Sequence, residues 1–185
     1  MFKDVEKTVQ VLKAGGIILY PTDTVWGIGC DATNEEAVER IFELKNRPGS
    51  KAMISLVDSL DTLRKWIKTI PERAEEEIKT SGSPLTVIYD SPVGIADSLK
   101  AEDGSAAFRI VSREYTRKIC ALLGKPLVST SVNYSGEPAP KNFYEINPVF
   151  LEKVDYVCNE GRDLTCGSPS RIIKITDEDE VTVIR

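Results

Sequence analysis

The chain contains no histidine. That absence removes the usual general base at neutral pH and with it every Ser-His-Asp or Cys-His mechanism. Any chemistry therefore rests on positioning, fixed charges, a metal, or the substrate's own groups. Cysteine is sparse, and Cys30, Cys120, Cys158 and Cys166 form no Cys-x-x-Cys pair. The pattern argues against a structural zinc site and predicts small buried hydrophobes instead. Long apolar runs are missing too: stretches such as residues 15–20 fall far short of a bilayer span. The opening Met1-Phe2-Lys3-Asp4-Val5-Glu6 lacks the uninterrupted apolar core of a signal peptide. A cytoplasmic protein with no membrane partner is the expectation. Positive charge is in deficit, with 24 Lys and Arg against 29 Asp and Glu. A net charge of -5 argues against a broad grip on a nucleic-acid backbone. It leaves room for a local basic groove drawn from Lys45, Arg47, Lys51, Arg109 and Arg185. Neither a Gly-x-Gly-x-x-Gly turn nor a Walker A sequence is present, so a nucleotide would be held by another phosphate-binding design.

What is present is ordinary soluble composition, 41% hydrophobic and 29% charged, in 185 residues. A chain of that length suits one domain, residues 1–185, able to bury about 70% of the surface its unfolded form exposes. Helix-like and strand-like segments alternate throughout. Val5, Val9, Val11 and Leu12 form an approximate helical stripe that Gly15-Gly16 stops. Thr33 or Asn34 can cap a second helix bearing Ala37, Val38, Ile41, Phe42 and Leu44, with Glu36 placed for a capping box. Further helices are predicted over 59–68, 71–79 and 113–123, and a partly helical stretch over 142–154. Strands are predicted over 16–20, 52–57, 85–89, 106–111, 126–131, 155–157, 171–175 and 181–184. The alternation predicts an α/β protein with a twisted mixed sheet flanked by helices, with some antiparallel pairing near the C-terminus.

Two segments carry the chemistry. Leu44-Lys45-Asn46-Arg47-Pro48 presents cations where a helix ends: Arg47 offers a planar fork to phosphate oxygens, Lys45 a movable point charge, and Lys51 a third cation. In Gly124-Lys125-Pro126-Leu127-Val128-Ser129-Thr130-Ser131-Val132-Asn133, an apolar strand runs out into hydroxyls and an amide. Ligands of α/β sheets collect at such strand ends. Ser131 can donate to phosphate, and Asn133 can hold a ribose, a phosphate or a metal-bound water. Each segment alone also fits a plainer description, a solvated helix end and a turn rich in Ser, Asn and Gly.

Taken together with Tyr20-Pro21-Thr22-Asp23-Thr24-Val25-Trp26-Gly27-Ile28-Gly29, these segments resemble the YrdC family of threonylcarbamoyl-AMP synthases. Ser168-Pro169-Ser170-Arg171-Ile172-Ile173 and Val183-Ile184-Arg185 resemble its C-terminal elements, so the likeness covers nearly the whole chain. The resemblance implies a concave substrate-binding face on the sheet and the short, single-domain form of the family. It implies condensation of L-threonine, bicarbonate and ATP to threonylcarbamoyl-AMP and pyrophosphate. That product feeds the modification of adenosine 37 in tRNA by a downstream threonylcarbamoyl transferase complex.

On this resemblance Lys45, Arg47, Ser131 and Asn133 are the catalytic set, and Lys45, Arg47, Lys51, Ser105, Ser131, Asn133 and Arg185 meet ATP. Magnesium accompanies the ATP, with no metal ligand assigned in the protein and no tightly bound organic cofactor. L-threonine falls to Thr22, Thr24, Arg109, Ser129 and Ser170, Arg109 taking its carboxylate. Tyr20 or Trp26 supplies an aromatic wall, a buried core position being the competing reading for Trp26. The threonine amine would form a carbamate whose oxygen attacks the α-phosphate. Its proton would pass to a bicarbonate oxygen or to Asp23, or be shed by desolvation. Three departures from the family pattern stand out: Ser81-Gly82-Ser83-Pro84-Leu85-Thr86, Trp26, and Val132. Alternatives on the same fold are a double-stranded RNA-binding or ribosome-maturation protein, with some contact to tRNA or double-stranded RNA, and a YciO-type paralogue with another acceptor.

Overall fold

A computed structural model of the chain describes residues 2–46 and 53–185. Arg47 and Lys51 lie outside the described residues. Helix α1, Phe2–Lys13, buries Val5, Val9 and Leu12 on one face and ends before Gly15, whose φ of 82° needs a residue without a Cβ. Strands β1 (Ile18–Pro21) and β2 (Trp26–Gly29) then form an antiparallel pair. Helix α2, Glu35–Leu44, is capped by Asn34, whose side chain accepts from the Ala37 N–H at 3.1 Å. This register corrects the capping box expected of Glu36, because three residues after the actual cap comes Ala37. The acid that does work at this end is Glu35, which accepts from the backbone N–H groups of Asp97 and Ser98.

The remaining elements are β3 (Ile54–Val57), α3 (Leu60–Leu63), α4 (Glu72–Thr80), β4 (Leu85–Tyr89), β5 (Ala106–Ile110), α5 (Glu114–Leu123), β6 (Leu127–Ser131), α6 (Pro148–Lys153), β7 (Tyr156–Val157), β8 (Arg171–Ile175) and β9 (Val181–Val183). Among the described residues nine strands form one sheet in the order β7-β1-β2-β6-β3-β5-β4-β8-β9. It is mixed: β3 with β5, β4 with β8 and β1 with β7 are parallel, and the other neighbours antiparallel. The expected fold class, an α/β protein with a mixed sheet flanked by helices, is what the chain adopts.

The period of two along a strand divides the core. Leu19, Ile28, Val128, Val57, Phe108, Val87 and Ile173 point to the side covered by α2 and α6. Ile18, Tyr20, Leu127 and Leu56 point to the opposite side, where α1 and α5 pack together. Those two helices cover only part of that second face. Cross-strand partners share a face, so Ile54, Ala107, Ser129 and Arg109, reached from Leu56 through β3, β5 and β6, lie on it as well. There, apart from Ile54, the side chains are small or polar, and the sheet floors an open concavity.

β2 sits close to β6. A Cβ on Gly29 would stand 1.9 Å from the Val128 carbonyl oxygen, so only glycine fits. The Tyr20 ring lies against the Gly27 and Gly29 backbone, and its hydroxyl donates to that same Val128 carbonyl at 2.8 Å. Tyr20 is thereby a fully buried core residue, and burial pushes its hydroxyl well above the usual tyrosine range.

Candidate active site

The concave face holds a cavity of about 240 Å³. Its floor comes from Ile54, Ser129 and Ser131, with Arg109 at one side and Ile172 at the other. Thr24 and Val25, from the turn between β1 and β2, and Pro169, Ser170 and Arg185, from the C-terminal segment, form its walls. Six residues assigned to substrate on the resemblance, Thr24, Arg109, Ser129, Ser131, Ser170 and Arg185, therefore meet around one space, although 161 positions separate the first from the last.

The turn that presents Thr24 is held by Thr22. The Thr22 hydroxyl accepts from the backbone N–H groups of Thr24 and Val25 at 3.1 and 3.2 Å and donates to the Val25 carbonyl at 2.7 Å. Thr24 Oγ1 lies 3.0 Å from it, and with the Thr22 proton already given, Thr24 is the donor of that pair. From α5, Thr116 donates to the Pro21 carbonyl at 2.6 Å, and the Gly167 N–H donates to the Thr24 carbonyl at 2.7 Å, closing the turn from two sides. Thr22 is not among the residues lining the cavity. Its place is that of a brace behind Thr24.

Arg109 is only 3% exposed, in an ion pair with Asp23 whose Oδ1 is 2.9 Å from its Nη2. The same Nη2 donates to Thr24 Oγ1 at 3.4 Å, while the buried Nε has no hydrogen-bond partner. Asp23 is fixed in turn by Ser112, whose N–H and hydroxyl both donate to Oδ2 at 3.2 Å. An ion pair this deep costs desolvation that its attraction only partly offsets, so it is poor evidence of stability and better evidence of a binding site.

On the opposite wall Ser170 Oγ is 2.8 Å from Thr86 Oγ1, and both residues are buried. The Ser170 carbonyl accepts from Arg185 Nε and Nη2 at 3.2 and 3.1 Å. Backbone hydrogen bonds between Arg185 and Ile172 anchor the residue beside β8, so its guanidinium is aimed rather than trailing.

Four other assignments fall elsewhere. Lys45 is 1% exposed, and its ammonium donates to the Ser131 carbonyl and, at 2.7 Å, to the Asn133 carbonyl. It ties the end of α2 to the end of β6, in place of the movable cation in a cleft that its sequence position suggested. Asn133 donates from Nδ2 to the Tyr134 and Glu137 carbonyls and shapes the loop after β6, without lining the cavity. Ser105 shares the concave face by alternation, but its hydroxyl donates to Asp103 Oδ1 at 2.6 Å and it does not line the cavity either. The aromatic wall is absent from the lining: Tyr20 and Trp26 are both in the core, Trp26 with its ring 5.0 Å from that of Phe143. Sequence reasoning missed the Asp23 clamp, which joins the turn between β1 and β2 to β5 and so depends on the strand order β2-β6-β3-β5. It also missed the apolar walls Ile172, Ala139 and Pro169, of which Ile172 alone carried a signal, its strand alternation.

A family model described as telomere recombination, covering Sua5, YciO and YrdC, matches residues 10–185. The chain belongs to the Sua5/YciO/YrdC family. Threonylcarbamoyl-AMP synthase of Xanthomonas euvesicatoria pv. vesicatoria is 34% identical over 172 residues, 91% of each chain. That of Stutzerimonas stutzeri is 34% identical over 156 residues, 84% of each. Among solved structures, P. abyssi Sua5 complexed with L-threonine superposes with a TM-score of 0.88 at 28% identity, over 98% of this chain. This family member spans about half of that archaeal protein, 53% of its chain. E. coli YciO superposes with a TM-score of 0.86 at 23% identity, over 100% of this chain and 89% of its own, a likeness of fold.

Among the described residues no group of three or more Cys, Asp or Glu side chains could hold a metal ion. No helix of the described residues is long and apolar enough to cross a membrane.

Proposed function

We propose that this family member is an L-threonylcarbamoyladenylate synthase, which converts L-threonine, bicarbonate and ATP into threonylcarbamoyl-AMP, pyrophosphate and water. The observation that carries the reading is the convergence of Arg109, Thr24, Ser129, Ser131, Ser170 and Arg185 around one cavity of the concave face. The curated relatives that bear the synthase name and the threonine-bound archaeal structure support it.

Arg109 and Thr24 suit an amino acid. The guanidinium lines the cavity as a fixed cation for a carboxylate, and the Thr24 hydroxyl stands beside it for a small polar side chain or amine. Ser131 and Arg185 suit the nucleotide, Ser131 as a hydroxyl donor to phosphate and Arg185 as the cation across the cavity. Arg47 and Lys51 are further proposed phosphate contacts. Magnesium enters as the counter-ion of ATP and offsets charge on the departing pyrophosphate.

With no histidine in the chain, the carbamate forms on an amine deprotonated by desolvation or by a bicarbonate oxygen. Asp23 is already engaged by Arg109 and Ser112. Positioning and fixed charge supply the acceleration. The product would pass to the transferase complex that modifies adenosine 37 of tRNA, which places the protein in the cytoplasm. The synthase name of the curated relatives supports this reading over an RNA-gripping role.

Pyrophosphate release from MgATP tests the reading, with L-threonine and bicarbonate each omitted in turn. Release that requires both and falls at least 100-fold in Arg109→Ala is the expected result. ATP binding without dependence on threonine would instead favour a paralogue with another acceptor.

A further inference from the structure

We infer that Asp23 is a positioning residue for amino-acid recognition: its carboxylate holds the Arg109 guanidinium in place at the side of the cavity, where it meets the substrate carboxylate. The inference rests on the reading of Arg109 as the carboxylate site and adds the device that makes it selective.

Asp23 Oδ1 stands 2.9 Å from Arg109 Nη2 in a buried ion pair without hydrogen-bond geometry, which restrains where the guanidinium sits. Asp23 is itself immobilised, because Oδ2 accepts two hydrogen bonds from Ser112, at the end of the segment that follows β5. The two carboxylate oxygens thus work in opposite directions, one toward the residue that begins the approach to α5 and one toward Arg109. Nη2 is shared between Asp23 and Thr24 Oγ1, which fixes the fork at one end. At the other end Nε is buried and has no hydrogen-bond partner, an unpaired donor within a residue that lines the cavity. A guanidinium held in this way offers a preorganised edge to a carboxylate, and partial neutralisation by Asp23 lowers its attraction for anions that do not match that edge. Asparagine at position 23 cannot reproduce the arrangement. It carries one acceptor oxygen, and whichever side that oxygen serves, the NH₂ group confronts donors on the other.

The test measures steady-state kinetics with L-threonine and with ATP varied separately, and calorimetric binding of L-threonine and L-threoninamide, for wild type, Asp23→Asn, Ser112→Ala and Arg109→Ala. Asp23→Asn is expected to raise the KM for threonine at least 10-fold while the KM for ATP moves less than about two-fold. Ser112→Ala, which removes one of the two restraints on Asp23, is expected to shift threonine in the same direction by a smaller factor. The wild-type preference for threonine over threoninamide is expected to shrink in Asp23→Asn. A uniform fall in kcat with both KM values unchanged, or an unaltered preference over the amide, would overturn the positioning role. If Asp23→Asn unfolds, Ser112→Ala decides, and an unshifted threonine KM there overturns it. Arg109→Ala separates the two layers. Normal threonine binding in that variant refutes the carboxylate site itself, and with it this inference. Lost binding there beside normal threonine binding in Asp23→Asn refutes the inference alone.

Discussion

Lys45 shows how far a residue's sequence context can differ from its structural work. Beside Asn46 and Arg47 it reads as a surface cation, yet its ammonium is buried against the carbonyls of Ser131 and Asn133. A methionine there keeps most of the stem and removes the charge-assisted donors, leaving two carbonyls short of a partner. The expected cost is about 2 kcal/mol of stability, read from urea unfolding in the absence of nucleotide. A residue whose only business was a phosphate contact would leave that midpoint where it was. Arg109, Ser129 and Ser170 were named through the family resemblance, and the structure brings them to one cavity. The partnership of Asp23 with Arg109 was not visible, because it spans 86 positions and depends on the order in which β2, β6, β3 and β5 pair.

Elements were legible where periodicity and stop signals agreed. Helix α5 ends as its sequence suggests, at Gly124 with a φ of 71°, and β3 to β6 fall inside the expected runs. The helix expected over 59–68 shrinks to Leu60–Leu63, while the stretch expected to be partly helical over 142–154 is so, a 3₁₀ turn at Phe143–Glu145 followed by α6. Strand β2 was not predicted at all. Two of its four residues are glycines, which carry no alternation, and it exists because Tyr20 and β6 close around them.

The union of α1 with the segment after β7 makes a prediction of its own. Asp4 accepts from the Tyr115 and Tyr156 hydroxyls at 2.5 Å each and from the Asn159 side chain at 2.9 Å. Burial pushes its carboxyl up, but these hydrogen bonds together outweigh burial and hold it below the usual aspartate value. A carboxyl lowered on folding contributes stability above its unfolded value, and that contribution is lost as pH falls through the folded value. Asp4→Asn should therefore be less stable than wild type at pH 7, with the gap closing as pH is brought below 4. Thermal unfolding of both proteins across that range checks it. A gap constant with pH would mean that charge plays no part in this joint.

At the scale of the whole molecule, thiol chemistry reports how completely the two layers close over the sheet. Cys30, Cys120 and Cys158 are buried, one or more on each side, and burial raises the thiol of each, that of Cys158 to about 11. Cys166 is half-buried beside the turn that carries Thr24. An aromatic disulfide reagent at pH 8 is expected to titrate at most one thiol in the native protein and four after denaturation. Two or more reactive thiols in the native state would show that a helical layer opens readily.

The strands that floor the cavity, β6, β3 and β5, are also consecutive strands in the middle of the sheet, with two or more strands beyond them on either side. Their backbone amides are the ones whose exchange with deuterated solvent should await disruption of the entire sheet. The floor of the site survives local fraying at β7 and β9 and disappears only together with the fold, whereas the Arg185 wall, just beyond β9, is the part that fraying can remove.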